Sequence, residues 1–345
     1  MEKDMTHVQS RCRLRSGGLT RKFAIFAGVA VLCGLPGSLS AQPALKDYPN
    51  KRVRIIIPFV AGGPPDFSAR VLSQKLTAFW GQPVVVENRG GAGAVLGSDL
   101  VAKSPPDGYT WLITTGSHTS NSAFNENVPY DPVRDFTPVT QLVRSYGQVL
   151  IVHPTVPARN VKELIALARQ RPGKINYASF GIGNITYIAA ELMKSMTGVN
   201  IVAIQYKGVG SSISDLVGGH IDLCFAPMQA AFPLIQAGRV RAIATTGTAR
   251  QEVLPDVPTM QESGLKDFDL VGWHGLWLPA GASPELVSRI YSEVVRAFGE
   301  ADVKQRMQET QYIIVASKPE EFAKYVAQDV AFMRDLARKI EAAAK

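Results

Sequence analysis

Short apolar runs alternate with amphipathic stretches along this chain from Val53 onward, and that alternation decides its fold class. Residues 53–59, Val-Arg-Ile-Ile-Ile-Pro-Phe, have the nearly unbroken apolar character of a strand buried on both faces. Beyond a Gly/Pro loop, residues 66–80 read as a helix with Phe67, Leu72, Leu76 and Phe79 inward and Gly81 as its C-terminal stop. A strand at 84–87, a glycine-rich turn, a helix near 95–103, a turn at 105–108 and a strand at 110–115 follow. The order βαβαβ predicts a doubly wound sheet.

The same kind of unit recurs without repeating the sequence. Residues 138–143 and 148–153 read as extended, and Asn160 with Glu163 predicts a capping box for a helix carrying Val161, Leu164, Ile165 and Ala168 on one face. A strand at 175–179 leads through Gly181 and Gly183 into a helix with Ile185, Ile188, Ala189, Leu192 and Met196 inward, closed by Gly198. Strands at 201–205, 221–226 and 240–245 complete the unit. Ser283 opens a further helix, and Ser317 with Glu320 predicts a capping box for a last one, through about Leu336. The expectation is an α/β protein of two doubly wound lobes. Residues 42–143 with 271–345 make the first and 144–270 the second, the C-terminal helices covering the first.

The first 41 residues read differently. Arg11, Arg13, Arg15, Arg21 and Lys22 precede an uncharged apolar run at 23–35, and Gly37, Ser38, Ser40 and Ala41 follow. That is the pattern of a secretory signal peptide, cut after Ala41 or after Ser40. The run of 13 residues is shorter than the roughly 20 needed to span a bilayer. The segment holds six of the 37 Lys and Arg and two of the 29 Asp and Glu, so the remainder carries +4 where the whole chain carries +8. A mild positive balance without a basic stripe suits an anion-binding cleft and argues against nucleic acid. Cys12 and Cys33 leave with the signal, so Cys224 is the sole remaining thiol and no internal disulfide is available. The expectation is a periplasmic monomer that folds on its cores alone.

Three loops stand where a strand end runs into a helix start. The first holds Phe59, Ala61, Gly62, Gly63 and Asp66; the second Ser179, Gly181, Gly183 and Asn184; the third Tyr206 and Gly208. Such loops bind ligands because glycine admits close approach and the helix behind offers free N–H groups and partial positive charge. Two facing each other would grip a carboxylate. Asp66 reads as a helix cap more than as an anion contact. Ser117 also joins the candidate site, whereas His118 reads as a solvated loop histidine. Trp273, His274 and Trp277 read as core or hinge packing, with a wall for an aromatic ligand as the alternative. Gly91, Gly93 and Gly97 imitate a dinucleotide fingerprint, but they follow the second strand with the wrong spacing, so a structural turn is preferred.

Catalytic and metal chemistry have little to stand on. No G-x-S-x-G, H-E-x-x-H or C-x-x-C motif occurs, and His118, His153, His220 and His274 lack ligand spacing. Neither cofactor nor metal is expected. Cys224 lies in an apolar strand and reads as an inert buried thiol. A secreted hydrolase, the rival reading, would need Cys224 or a serine paired with His118.

A run of motifs then carries a resemblance. Tyr48-Pro49, Ile57-Pro58-Phe59, Gly62-Gly63, Asp66 and Arg70 are followed by Gly81-Gln82-Pro83 and Glu87-Asn88-Arg89-Gly90-Gly91-Ala92-Gly93. Pro106-Asp107-Gly108-Tyr109-Thr110, Tyr206-Lys207-Gly208, Gly218-Gly219-His220-Ile221-Asp222, Ala237-Gly238-Arg239, Pro255-Asp256-Val257-Pro258-Thr259 and Pro279-Ala280-Gly281 extend it over nearly the whole mature chain. In these stretches the sequence resembles the substrate-binding proteins of tripartite tricarboxylate transporters, the Bug family. The resemblance implies a type II periplasmic-binding-protein fold with two hinge strands. It implies a small di- or tricarboxylic, acidic amino or aromatic acid in the cleft, held by the loops at 59–66 and 179–184. Delivery to a membrane permease, or sensing for a signalling partner, would follow. Pro64-Pro65, Asn184 and Tyr187 depart from the family's usual Gly/Ala-Thr/Ser/Ala, Ser/Thr and His, which suggests a bulkier or more apolar acid.

Overall fold

The computed structural model describes residues 47–344. The signal-peptide reading lies outside the described residues. The first sheet contains parallel strands β1 (Val53–Ile57), β2 (Val84–Asn88) and β3 (Thr110–Thr115), with Ile55 opposite both Val86 and Trp111. Crossover helices α1 (Pro64–Trp80) and α2 (Val95–Ala102) join them. α3 (Ser117–Phe124) follows β3 after a single residue, and β4 (Phe136–Ser145) leads to the other sheet.

That second sheet comprises β5 (Gln148–Val152), β6 (Asn176–Ser179), β7 (Val202–Gln205), β8 (Leu223–Pro227) and β9 (Arg241–Thr245). Its helices are α4 (Val161–Gln170), α5 (Ile185–Thr197), α6 (Val209–Val217) and α7 (Met228–Gln236). The chain returns through β10 (Trp273–Pro279), α8 (Pro284–Gly299), α9 (Ala301–Glu309), β11 (Tyr312–Ile314) and α10 (Pro319–Ala344). The strand orders are β11-β4-β10-β3-β1-β2 and β7-β6-β8-β5-β9. In each sheet the parallel part was legible from the sequence, and antiparallel strands complete it.

Several local expectations hold. Asn160 Oδ1 accepts from Glu163 N at 2.9 Å while Glu163 accepts from Arg159 N at 2.7 Å. Gly81 adopts the left-handed conformation that ends α1. At the last helix Glu321, not Glu320, accepts from Lys318 N, because the helix starts at Pro319 and puts Lys318 at the cap, while Ser317 Oγ accepts from the backbone N of Gln141. α8 and α9 pack on the first sheet. α10 does more than cover it: Phe322 and Val326 join a first-sheet cluster, whereas Met333, Leu336 and Ile340 join the core of the second.

His118 corrects the sequence reading. It lies in α3, fully buried, stacked on Tyr130 with edge and tilted contacts to Phe136 and Trp277. Its Nε2 faces the carbonyl oxygen of Pro132 at 3.2 Å. Burial pulls its pKa down to about 4, and burial likewise pulls His274 down to about 3. Asp329 in α10 accepts from Thr119 Oγ1, and burial pushes it up to about 6.

The chain crosses between the sheets at 145–148 and again at 246–272, and the crossings touch. A Cβ on Gly247 would stand 2.1 Å from the Tyr146 oxygen, and one on Gly147 2.6 Å from Gly247 N. Thr246 ties both: its Oγ1 accepts from Gln148 N at 2.8 Å and donates to the Leu270 oxygen at 2.5 Å.

Two measurements follow. Gly247→Ala forces backbone apart and should cost about 1–3 kcal/mol in chemical denaturation, whereas Gly299→Ala, with open space around it, stays within about 1 kcal/mol. Equal effects of the two would show that the crossing is not tight. The pH dependence has a definite sign. Both histidines have folded values below the unfolded 6.5, so their stability is full above that pH and is lost as pH falls toward 4 and 3. Asp329, raised from 3.8, gives the opposite trend below pH 6. Taken by themselves, two histidines against one aspartate contribute a fall of about 1.4 kcal/mol per pH unit between pH 6 and 4, to which carboxylates held low, Glu87 among them, add as pH nears 4. His118→Phe should flatten that slope, as read by denaturation across the window.

Candidate functional site

A cavity of about 860 Å³ opens between the sheets at the carboxyl ends of their parallel strands, where α/β folds present crevices. From the first sheet it is bordered by the loop after β1, the glycine-rich turn after β2 and the junction of β3 with α3. From the second it is bordered by the loops after β6 and β7 and the end of β8. The halves meet across it. Ser120 Oγ in α3 donates to the carbonyl oxygen of Gly183, and a Cβ on Gly183 would lie 2.4 Å from Asn121 Oδ1. Across the mouth, a Cβ on Gly208 would come within 3.0 Å of the Val60 side chain.

The first loop is held by a buried carboxylate. Asp66 accepts from Gly62 N at 2.9 Å, Arg70 Nε at 2.9 Å and Asn88 Nδ2 at 3.0 Å. Burial works to raise its pKa, but the bonds from Arg70, Gly62 and Asn88 outweigh it and the net shift is downward. It therefore braces the loop from behind. Pro64 and Pro65 form the first turn of α1 and border the cavity, so two N–H donors that a helix start ordinarily presents do not exist there. The expected anion grip by α1 is correspondingly reduced.

Across the cleft the donors are richer. α6 starts at Gly208 with no side-chain cap, leaving the N–H groups of its first turn outside the intrahelical pattern. Lys207 stands exposed next to it, and among the described residues no carboxylate lies within ion-pair distance of its Nζ. It is the one lining residue that carries a full charge. Asn184 caps α5, its Oδ1 accepting from Thr186 N at 3.1 Å. The remaining lining is mostly apolar or aromatic, including Phe59, Phe180 and Trp273.

Of the residues expected from sequence, Phe59, Ala61, Gly63 and Ser117 border the cavity from one side and Gly181, Asn184, Tyr206 and Gly208 from the other. Gly62 and Asp66 lie behind the first loop. Ser179 is fully buried, and its Oγ accepts from Gly181 N at 3.3 Å. Gly183 makes the contact with Ser120, and Tyr187 packs edge-on to Phe124 on the core side of α5. Sequence reasoning passed over Gln148 and Ser120, quoted Lys207 without giving it a role, and read the glycines at 91 and 93 as a structural turn, whereas the turn from Gly90 to Ala94 borders the cavity. For Lys207, an isolated lysine before a helix-opening glycine is the signal that would have given it a role. Gly97, by contrast, has the close-packing role expected, since a Cβ there would lie 2.7 Å from the Arg89 oxygen.

Among the described residues neither Cys224 nor a serine bonds His118; Ser68 Oγ does lie 3.0 Å from His274 Nδ1, but both are buried and Ser68 does not line the cavity. Cys224 is buried in β8 of the second sheet, and burial pushes its thiol up to about 12 against a smaller lowering by Ser212. His118 lies in the first lobe, enclosed by aromatic rings. Among the described residues there is no metal-binding group of His, Cys, Asp and Glu, and no helix is long and apolar enough to cross a membrane.

Residues 68–341 match the family described as the tripartite tricarboxylate transporter family receptor, TctC. A protein encoded between tcbD and tcbE in Pseudomonas sp. strain P51 is 34% identical, covering 87% of this chain and 88% of its own. BugT of Bordetella pertussis is 31% identical over 90% of this chain and 95% of its own. Among solved structures, Rpa4515 of R. palustris with adipate superimposes with a TM-score of 0.80 at 32% identity, covering 85% of this chain and 98% of that one. The periplasmic binding protein BugD gives 0.80 at 32%, covering 85% and 99%. MatC of Rhodopseudomonas palustris with bound malate gives 0.79 at 28%, covering 84% and 100%. With its two α/β lobes, its cleft and these matches, the chain belongs to the TctC or Bug family of periplasmic solute-binding proteins, which are receptors and not enzymes.

Proposed function

We propose that this protein works in the periplasm as a monomeric receptor that captures a small carboxylic acid in its cleft. It then presents the closed form to a membrane permease of the tripartite tricarboxylate transporter type. The observation that carries this reading is the charge pattern of the cleft. A mostly apolar chamber holds one unpaired cation, Lys207, beside the uncapped start of α6. Both favour an anion, and neither is neutralised by a lining carboxylate. The relatives with adipate and malate support the same ligand class.

In this mechanism Lys207, Gly208 and the first turn of α6 take the carboxylate, with Asn184 and Gly181 alongside. Phe59, Ala61, Gly63 and Tyr206 pack the carbon skeleton, and Ser117 closes the chamber from β3. Gly62, Asp66, Ser179, Gly183 and Tyr187 hold the loops in place. A ligand that touches both lobes favours the closed form by the difference in its affinity for the two states.

Thermal unfolding of protein refolded to strip bound solute, against a panel of carboxylic acids, tests the reading. An acid at about 100 times its Kd adds about 2.7 kcal/mol. Lys207→Met should weaken the selected acid about tenfold to a hundredfold, the range of a charge-assisted hydrogen bond, and should reduce the salt dependence of binding. Stabilisation by esters or amides but by no acid would overturn the proposal.

A further inference from the structure

Gln148 is the least explained polar residue of the cleft. It opens β5, borders the cavity and is only 5% exposed. Its Oε1 is buried without a hydrogen-bond partner among the described residues. Its backbone is already used, N donating to Thr246 Oγ1 and O accepting from Thr246 N, so the hinge does not need the side chain. A buried amide left unpaired is unfavourable and calls for a partner.

The topology says where that partner would be. Gln148 pairs with Pro227 at the end of β8, so it lies on the same sheet edge as Ser179 and Gln205, the ends of β6 and β7. Along that edge β5 is three strands from β7, about 14 Å at the usual strand spacing. Lys207 follows β7 at one end of the edge, and Gln148 stands three strands along it. Once the reach of the two side chains is taken off, the gap fits an acid about as long as a six-membered ring with its substituents. Gly272 makes room for the amide: a Cβ there would come within 3.4 Å of Gln148 Nε2 and 3.2 Å of Ser145 Oγ.

We propose that Gln148 is a specificity-determining residue, whose amide hydrogen-bonds a second polar group at the end of the ligand remote from Lys207. The ligand class is then a carboxylic acid with a hydroxyl, carbonyl or carboxylate at its far end. This rests on the carboxylate reading above and deepens it. The aromatic surfaces of Phe59, Phe180 and Trp273 bound the space in between.

Two matched series test it by calorimetry on the purified, ligand-stripped protein. One is hexanoate, omega-hydroxyhexanoate and adipate; the other is benzoate, para-hydroxybenzoate and terephthalate. In at least one series a member with a far polar group should bind about tenfold or more tighter than the member without, 1.4 kcal/mol per tenfold. Gln148→Met, close in volume, should erase that preference while leaving the plain acid within about threefold. Gln148→Glu, checked for an unchanged unfolding midpoint, supplies the second variant: it should weaken adipate or terephthalate more than the hydroxy acid, by like-charge repulsion. An unchanged ratio in Gln148→Met, or an equal loss for all three acids of a series, overturns the assignment and leaves the carboxylate reading standing. Failure of all six acids to bind the wild-type protein overturns that reading too.

Discussion

The cleft exists because two backbone crossings are pinned to each other. Gly147 and Gly247 meet at a separation that excludes any side chain, and Thr246 bonds both segments, while Ser145 and Gly272 exchange hydrogen bonds one step further out. Because the contact is between backbones, no rotamer change can relax it. The two sheets are therefore set in one relation at the hinge, and their strand ends converge on a single chamber. The residues that emerge from the hinge, Gln148 and Trp273, are lining residues for the same reason.

Around that fixed floor the polar groups divide into those that brace and those that remain available. Asp66 is saturated by three donors, His274 faces Ser68 and Tyr312, and the Oδ1 of Asn184, though not its Nδ2, is spent on the start of α5. A neutral His274 adds no charge, since its burial lowers its pKa far below neutrality. Among those that remain available are Lys207, the start of α6 and the Gln148 amide. Selectivity in such a chamber comes from few contacts, each of which matters because the walls around it are mostly apolar.

The sequence made the repetitive architecture visible and hid the parts defined by long-range contacts. Residues 53–57 and 110–115 are mostly buried and, apart from Arg54 and the threonines at 110, 114 and 115, apolar because both faces of the sheet are covered, and a purely local reading detects that. α3 escaped detection because Ser-His-Thr-Ser-Asn-Ser-Ala-Phe has no apolar stripe. Its five leading residues are buried, and three of them, Thr119, Ser120 and Asn121, bond Gly116, Gly93, Gly183 and Asp329, partners remote in sequence apart from the first. His118 was read as solvated on the same grounds, whereas its aromatic nest draws on Tyr130, Phe136 and Trp277. The glycine loops were legible as strand-to-helix loops, and they border the cavity. The orientation of individual residues was not: Tyr187 and Ser179 face inward, and Lys207 and Gln148 line the cleft, distinctions that depend on the helix face and the sheet edge.

α10 limits how such a cleft can open. Its first half is anchored by Phe322 and Val326 in one lobe, and its second half by Met333, Leu336 and Ile340 in the other. Withdrawing three such side chains from their core would cost on the order of 5–9 kcal/mol at about 1.5–3 kcal/mol each. That exceeds the few kcal/mol separating open and closed states in proteins that switch. In the closure proposed above both halves would keep their partners, which would put the rotation close to the middle of the helix. Asp329 lies there, bonded to Thr119, and Met333 borders the cavity one turn further on. The mid-helix and the crossing at Gly147 and Gly247 are then two points near one axis, about which the ligand loops are carried while both cores stay packed.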